Sequence, residues 1–495
     1  MKKFIIAIIT ISALLVCSCS DFLHIRTEAT MPTSGMDYTK VENIFQPVSA
    51  AYASMRLGEG EAQSYVSVLS VAEDDTDAGS DPQDAAAVTE AFDKFGCLPT
   101  NTHVNNMWIY FYDIASSANY AIESMDKFAE AMTAADALKT VDECRGEAKI
   151  IRAYAYFNLV RLFGSVPLID KTMTSSELGN FPASPVSKVY EFIYKDLDDA
   201  ISVVPESHTE LGRYNKFTAM ALKAKVALYN NDWDEAAAQA DAVMASGNYS
   251  LYPDFREMFL PAGEYCSESL MEVGCDDLGQ SKGNAPVGFY AFIQGPRNNQ
   301  PSNMQGWGYK VPSQTLVDFL TERGETVRLE TTILRRGATT PEGDLIMETC
   351  PMPYYNGKVY TPSKFNSWAY NGYGFDHNMR LLRYADVLLI YAEAMVQGAT
   401  VNDPKSGYTA DQALNEVRQR AGLGAASADL QTIWDERRAE FAMEENRFFD
   451  LVRTGQAAAV LGPLGFKSGK NEIFPTPATQ IQVNTGLSQT PGYTY

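Results

Sequence analysis

Between Lys216 and Ser246 apolar residues recur at helical spacing twice in succession, and this pairing constrains the fold more than any other stretch. Phe217, Met220, Ala221, Ala224, Ala227 and Leu228 line the first segment, and Ala236, Ala237, Ala240 and Val243 line the second. Asn230-Asn231-Asp232 makes the turn between them, and Gly247 stops the second. Alanine at so many facing positions lets two helices approach closely.

A helix, a short turn and a second alanine-rich helix opening at Trp233 resemble one tetratricopeptide unit. The same pattern predicts a pair from Asn106–Met125 with Glu143–Phe163, ending at Gly164 before Pro167, and another from Leu381–Val396 with Asp411–Arg420. The expectation is a mainly α fold, with helix pairs at about 106–163, 216–246 and 381–420. The spacing between units is irregular, so the pairs read as degenerate repeats folded into one body over residues 38–495. A chain of 495 residues, 45% of them hydrophobic, can bury a core of that size.

The first residues indicate the compartment. Lys2 and Lys3 precede an apolar run from Phe4 to Val16, too short to span a bilayer comfortably and of signal-peptide length. The run ends in Val16-Cys17-Ser18-Cys19, where a small residue before Cys19 resembles a bacterial lipobox. The expectation is a signal peptide over 1–18, lipidation of Cys19, and a polar tether over 19–37. Forty Lys and Arg against 62 Asp and Glu give a net charge of -22, which repels polyanions and excludes sequence-independent nucleic-acid binding. Cys97, Cys144, Cys266, Cys275 and Cys350 are an odd set with no C-x-x-C spacing, so they form neither a disulfide scaffold nor a zinc site.

Two long segments break the helical pattern, and they define a ligand-loop region of about 279–375. Gly279–Pro312 has no acidic residue, six glycines, and Phe289, Tyr290, Phe292, Trp307 and Tyr309. Pro351–Phe375 interleaves Tyr354, Tyr355, Tyr360, Trp368, Tyr370 and Tyr373 with Gly and Asn. Aromatic faces cover the C–H face of a sugar ring while amides and Arg take its hydroxyls; the same rings also serve to pin irregular loops to a helical body. Trp307 is the tryptophan flanked by glycines, Gly306 and Gly308, which would let the backbone stand clear and leave the ring open. It is the expected platform, with Tyr309, Tyr290, Asn303 and Arg297 as neighbours and Trp368 as the second-choice platform. Trp108, Trp233 and Trp434 fall on helical patterns and read as core.

Catalytic patterns are absent: there is no G-x-S-x-G, no H-E-x-x-H and no phosphate loop, and His24, His103, His208 and His377 are scattered. Glu436, Glu440 and Glu444 at i, i+4 spacing suggest a carboxylate pair for glycoside hydrolysis, but Arg437, Arg438 and Arg447 beside them favour structural ion pairs. Asp75, Asp77 and Asp81 are spaced as in a calcium loop, yet Ala86 stands where a closing glutamate belongs, so a solvated acidic loop is the preferred reading. No cofactor is expected.

Several segments together resemble the SusD/RagB family of outer-membrane nutrient-binding lipoproteins. They are Arg152-Ala153-Tyr154 through Leu162-Phe163-Gly164-Ser165-Val166-Pro167-Leu168, Leu382-Arg383-Tyr384-Ala385-Asp386 through Glu393-Ala394, and Leu414-Asn415-Glu416-Val417-Arg418-Gln419-Arg420-Ala421-Gly422. Glu436-Arg437-Arg438 through Phe448-Phe449-Asp450-Leu451-Val452-Arg453 and Pro475-Thr476-Pro477 with Asn484 and Pro491-Gly492-Tyr493 complete the set. The resemblance implies a non-enzymatic, lipid-anchored protein on the exterior of the outer membrane. It would bind oligosaccharides, or in some members peptides, and pass them to a SusC-like TonB-dependent transporter. The matching segments are scaffold by their makeup, so they carry no ligand residue over. Glu325 stands where the family more often has Asp, which touches only a local ion pair.

Overall fold

A computed structural model describes residues 35–275, 288–299, 305–365 and 377–494. Cys19, Asn303 and Trp368 lie outside these residues, as do the expected signal peptide and nearly all of the tether.

Helices α1 (Gln46–Ser54) and α2 (Glu59–Ser70) pack on α3 (Thr102–Ala131), which opens with the Asn101 side chain accepting from the Val104 N–H. Val104, Met107, Phe111, Ile114, Ala118, Ala121, Met125 and Phe128 form a buried stripe at spacings of three and four along α3. Each large member contributes about 1.5 to 3 kcal/mol on burial.

The stripe faces α4 (Ala135–Phe163), which ends at Gly164 with φ 70°, a conformation that favours glycine. On the other side of α4 lies α5 (Val186–Val203), whose Val189, Ile193, Leu197 and Ala200 point inward. Arg152 on α4 donates twice to Asp196 on α5, both at 2.7 Å, and once to Asn119 on α3 at 2.8 Å, pinning three helices together. Both α3 and α4 run beyond the expected bounds, α3 far enough to bury Val104 and Phe128 and α4 far enough to bury Ala137 and Val141.

Helix α6 (Lys216–Tyr229) packs on α5, and α7 (Trp233–Ala245) packs on α6. Ala221, Ala224, Ala227, Ala236, Ala237 and Ala240 are all buried at this contact region. Asn215 caps α6 and Asp232 caps α7, so the last residue of the turn between the two helices also begins the second.

Among the described residues, three two-stranded antiparallel sheets decorate the helical body. Strand β1 (Thr76–Gly79) pairs with β3 (Tyr309–Pro312), β2 (Ser269–Val273) with β6 (Met379–Arg383), and β4 (Ile333–Arg335) with β5 (Tyr354–Asn356). The short helix α8 (Phe289–Phe292) rests on α2, while α9 (Gln314–Glu322), capped by Ser313, and α10 (Val327–Thr332) follow β3.

Helix α11 (Tyr384–Val396) is buried on every side from Tyr384 to Ala394, against α7, α12 (Ala410–Arg420) and α13 (Leu430–Glu440). Leu381, Leu382 and Arg383, expected to begin this helix, are instead strand, drawn into register with β2.

Helix α13 stops at Glu440, and Met443 and Glu445 adopt left-handed backbone conformations before α14 (Arg447–Arg453). Glu444 is therefore not on the same helix as Glu436 and Glu440. No described helix is long and apolar enough to cross a membrane.

Candidate ligand-binding site

The glycines that flank Trp307 press the chain inward. A Cβ on Gly306 would stand 2.2 Å from the Phe292 carbonyl oxygen, and Gly308 has φ 72° with its own carbonyl accepting from the Ser80 N–H. Gly79, paired with Tyr309, meets the Gly308 carbonyl in the same way, at 2.3 Å from its would-be Cβ. The segment is stitched to the turn after α8: Gly306 N–H donates to Pro296, Gly308 to Gly295 and Tyr309 to Ile293, at 2.8 to 2.9 Å. The sequence reading of a backbone standing clear is thus reversed. Glycine serves close approach here, and Trp307 is presented from a tightly fastened ledge.

On that ledge the Trp307 ring lies edge-on against Phe292, with centroids 5.7 Å apart and planes at 69°. It is half-buried and borders a cleft of about 430 Å³, walled also by Tyr309, Arg297, Asn298, Gln305, Gln63 and Asp84. Arg297 spans the wall: its Nη1 donates to Ser80 Oγ at 2.9 Å and its Nη2 pairs with Asp84 Oδ2 at 2.6 Å. The Tyr309 hydroxyl reaches the Asp84 carbonyl at 3.5 Å. Burial raises the Tyr309 hydroxyl above its ordinary value, so it stays a neutral donor at neutral pH.

Of the residues expected from sequence, the structure thus brings Trp307, Tyr309 and Arg297 to one cleft. Tyr290 is elsewhere. Its ring is buried, edge-on to Tyr65 at 6.1 Å, and its hydroxyl donates to Glu445 Oε1 at 2.8 Å, so it braces the floor behind β3. Gln63, Asp84 and Asn298 escape a sequence reading. Gln63 is one polar residue on α2, and Asp84 reaches the cleft only through the pairing of β1 with β3.

The acidic loop is only partly a solvated face: Asp77 is exposed and Asp81 half-buried, but Asp75 is drawn inward into an ion pair. Asp75 is buried, and both its oxygens accept from Arg438 Nε, at 3.1 and 3.0 Å. Asp74 accepts from Arg447 Nε at 2.8 Å, which brings α14 and the end of α13 onto this loop. Asp77 lies on β1, and Asp81 accepts from the Gln83 N–H. Among the described residues no group of three His, Cys, Asp or Glu side chains is placed to hold a metal ion.

The carboxylates on α13 are likewise committed. Glu436 is fully buried among Arg323, Arg328 and Arg418 at 2.7 to 2.8 Å, and Glu440 among Arg328, Arg383 and Arg420. Glu444 pairs with Lys358 at 2.6 Å and with Arg383. Burial pushes the Glu440 carboxyl up, but Arg420, Arg383 and Arg328 outweigh it and hold the group well below the usual range. A general acid for glycoside hydrolysis needs the opposite shift and an open cleft. The arginines adjacent in sequence point elsewhere: Arg437 goes to Asp386 and Asp450, and Arg438 to Asp74 and Asp75. Glu325 closes on Arg328 at 2.7 Å, so the local ion pair is present with glutamate at this position.

The described residues thus form a mainly helical body carrying an aromatic ledge beside a polar cleft. Its sequence matches the model of the SusD family over residues 348–493, and a model described as "Starch-binding associating with outer membrane" over residues 21–228. "SusD-like protein P2" of Formosa agariphila is 28% identical over the whole of both chains. A solved laminarin-binding SusD-like protein is 29% identical, with a TM-score of 0.77 over 91% of this chain and 99% of that one. Surface glycan-binding protein A from Bacteroides fluxus, also solved, is 25% identical with a TM-score of 0.77 over the same shares. The chain belongs to the SusD/RagB family.

Proposed function

We propose that this protein is a cell-surface glycan-binding lipoprotein that holds an oligosaccharide in the Trp307 cleft without turning it over. It hands the sugar to a SusC-like TonB-dependent transporter in the outer membrane, to which Cys19 anchors it. The observation that carries this reading is the half-buried Trp307, fixed edge-on by Phe292 at a cleft whose other walls supply a guanidinium, a carboxylate, a phenol and carboxamides. An aromatic face for the apolar side of a sugar, with fixed polar groups around it for hydroxyls, is the chemistry a neutral ring with polar edges requires. The relatives with glycan-binding names support the same class of ligand. Lipid anchoring is supported by the lipobox-like Val16-Cys17-Ser18-Cys19 and by a family description that places its members at the outer membrane.

A glycan-array screen of the purified protein tests the proposal. Binding to one class of oligosaccharide is expected; a blank array, together with saturable binding of peptides, would overturn it.

A further inference from the structure

The cleft contains two charged walls, and they neutralise each other. Arg297 and Asp84 remain partly exposed, their side chains at 30% and 50%, and they meet at 2.6 Å. Among the described residues lining the cleft these are the only charged groups. The protein as a whole carries -22. We infer that the cleft selects uncharged glycans, and that Asp84, by occupying Arg297, is the group that turns anionic sugars away. This rests on the glycan-binding reading above and narrows it.

Uronate or sulfate recognition calls for a guanidinium whose paired N–H groups are open to an oxyanion. In Arg297 one terminal nitrogen is committed to Ser80 and the other to Asp84. An entering carboxylate would have to displace Asp84 and then sit beside it, with both negative charges inside the screening length of about 8 Å at physiological salt. A neutral hydroxyl meets no such conflict. It accepts from the remaining N–H groups of the guanidinium and donates to the Asp84 carboxylate, so the pair reads a diol as one unit.

The test uses the whole protein in detergent micelles, titrated with two panels of hexasaccharides: laminari-, cello-, malto- and mannohexaose, and hexagalacturonate with hexaguluronate. Wild type is expected to bind at least one neutral hexasaccharide and to bind the uronates at least tenfold more weakly. Asp84→Asn, which keeps the shape and frees the guanidinium, is expected to gain fivefold or more for a uronate. The gain should shrink in 0.5 M NaCl and vanish in the Asp84→Asn, Arg297→Gln double variant. Melting temperatures measured alongside show that each variant folds.

Uronate binding by wild type as tight as neutral binding would overturn the inference and leave the glycan reading standing. Neutral binding by wild type with no gain in a folded Asp84→Asn would remove Asp84 from this role. Binding to neither panel would count against the glycan reading itself, and the selectivity would fall with it.

Discussion

Arg438 closes on Asp75 with its Nε within 3.1 Å of both carboxylate oxygens, joining the last turn of α13 to the loop before β1. Asp75 is buried, and the guanidinium also lies over the Phe319 ring at 4.0 Å. Since β1 pairs with β3, this contact braces the strand on which Tyr309 stands.

Truncating Arg438 leaves the Asp75 charge buried and short of its main partner, a loss of about 3 kcal/mol for a pair of this kind. Arg438→Ala should therefore lower the melting temperature by several degrees. Differential scanning calorimetry checks it, and an unchanged transition would show that the pair is not holding the loop.

Asp93 supplies a stability signal at neutral pH. Burial pushes its carboxyl up to about 7 against the lowering effect of the Ala78 N–H, and the Asp77 charge adds to the rise. Asp93 Oδ2 accepts from that N–H at 3.2 Å, while Oδ1 is buried with no partner. The folded value is raised, so the stabilising contribution is full below the ordinary value of 3.8 and is lost as pH climbs from about 4 to 7. A shift of this size sets a ceiling of about 4 kcal/mol. Asp93→Asn, which keeps the acceptor for Ala78, should melt several degrees above wild type at pH 8. That advantage should disappear by pH 4, as thermal melts across the range would show.

Much of the helical body was legible in the sequence because one face repeats at helical spacing, as along Phe111, Ile114, Ala118, Ala121, Met125 and Phe128. The boundary at Leu381 was not. Arg383 pairs with Ser269 and Leu382 with Met271, partners too distant in the chain for any local pattern to announce. The cleft was half legible on the same terms. Trp307, Tyr309 and Arg297 stand in one acid-free, glycine-rich stretch, whereas Asp84 joins them only through strand pairing. Tyr290 misled because composition does not tell a ring facing a ligand from one hydrogen-bonded to Glu445. The glycines misled because they are required for close approach as well as for exposure.

The five described cysteines give a labelling pattern. All five are unpaired, Cys266 half-buried and the others buried. Burial pushes the thiols of Cys97 and Cys144 up to about 12 and that of Cys275 up to about 11, which starves them of thiolate. Maleimide should modify the native protein at Cys266 alone, and slowly, and all five sites after denaturation. Intact mass spectrometry counts the adducts; fewer than five in denaturant would reveal a disulfide.

Cys19→Ala tests the anchor. The variant should lose fatty-acid label and leave the outer-membrane fraction. Retention of both would contradict lipidation at this residue.

The account turns on the Trp307 ring, and calorimetric titration of wild type and Trp307→Ala with a glycan identified on the array measures its part most directly. Stacking on an aromatic ring contributes on the order of 1 to 2 kcal/mol, so affinity should fall by roughly tenfold or more while the melting temperature stays within a degree or two. Equal affinities in two equally stable proteins would remove Trp307 from the site and place the sugar elsewhere on the molecule.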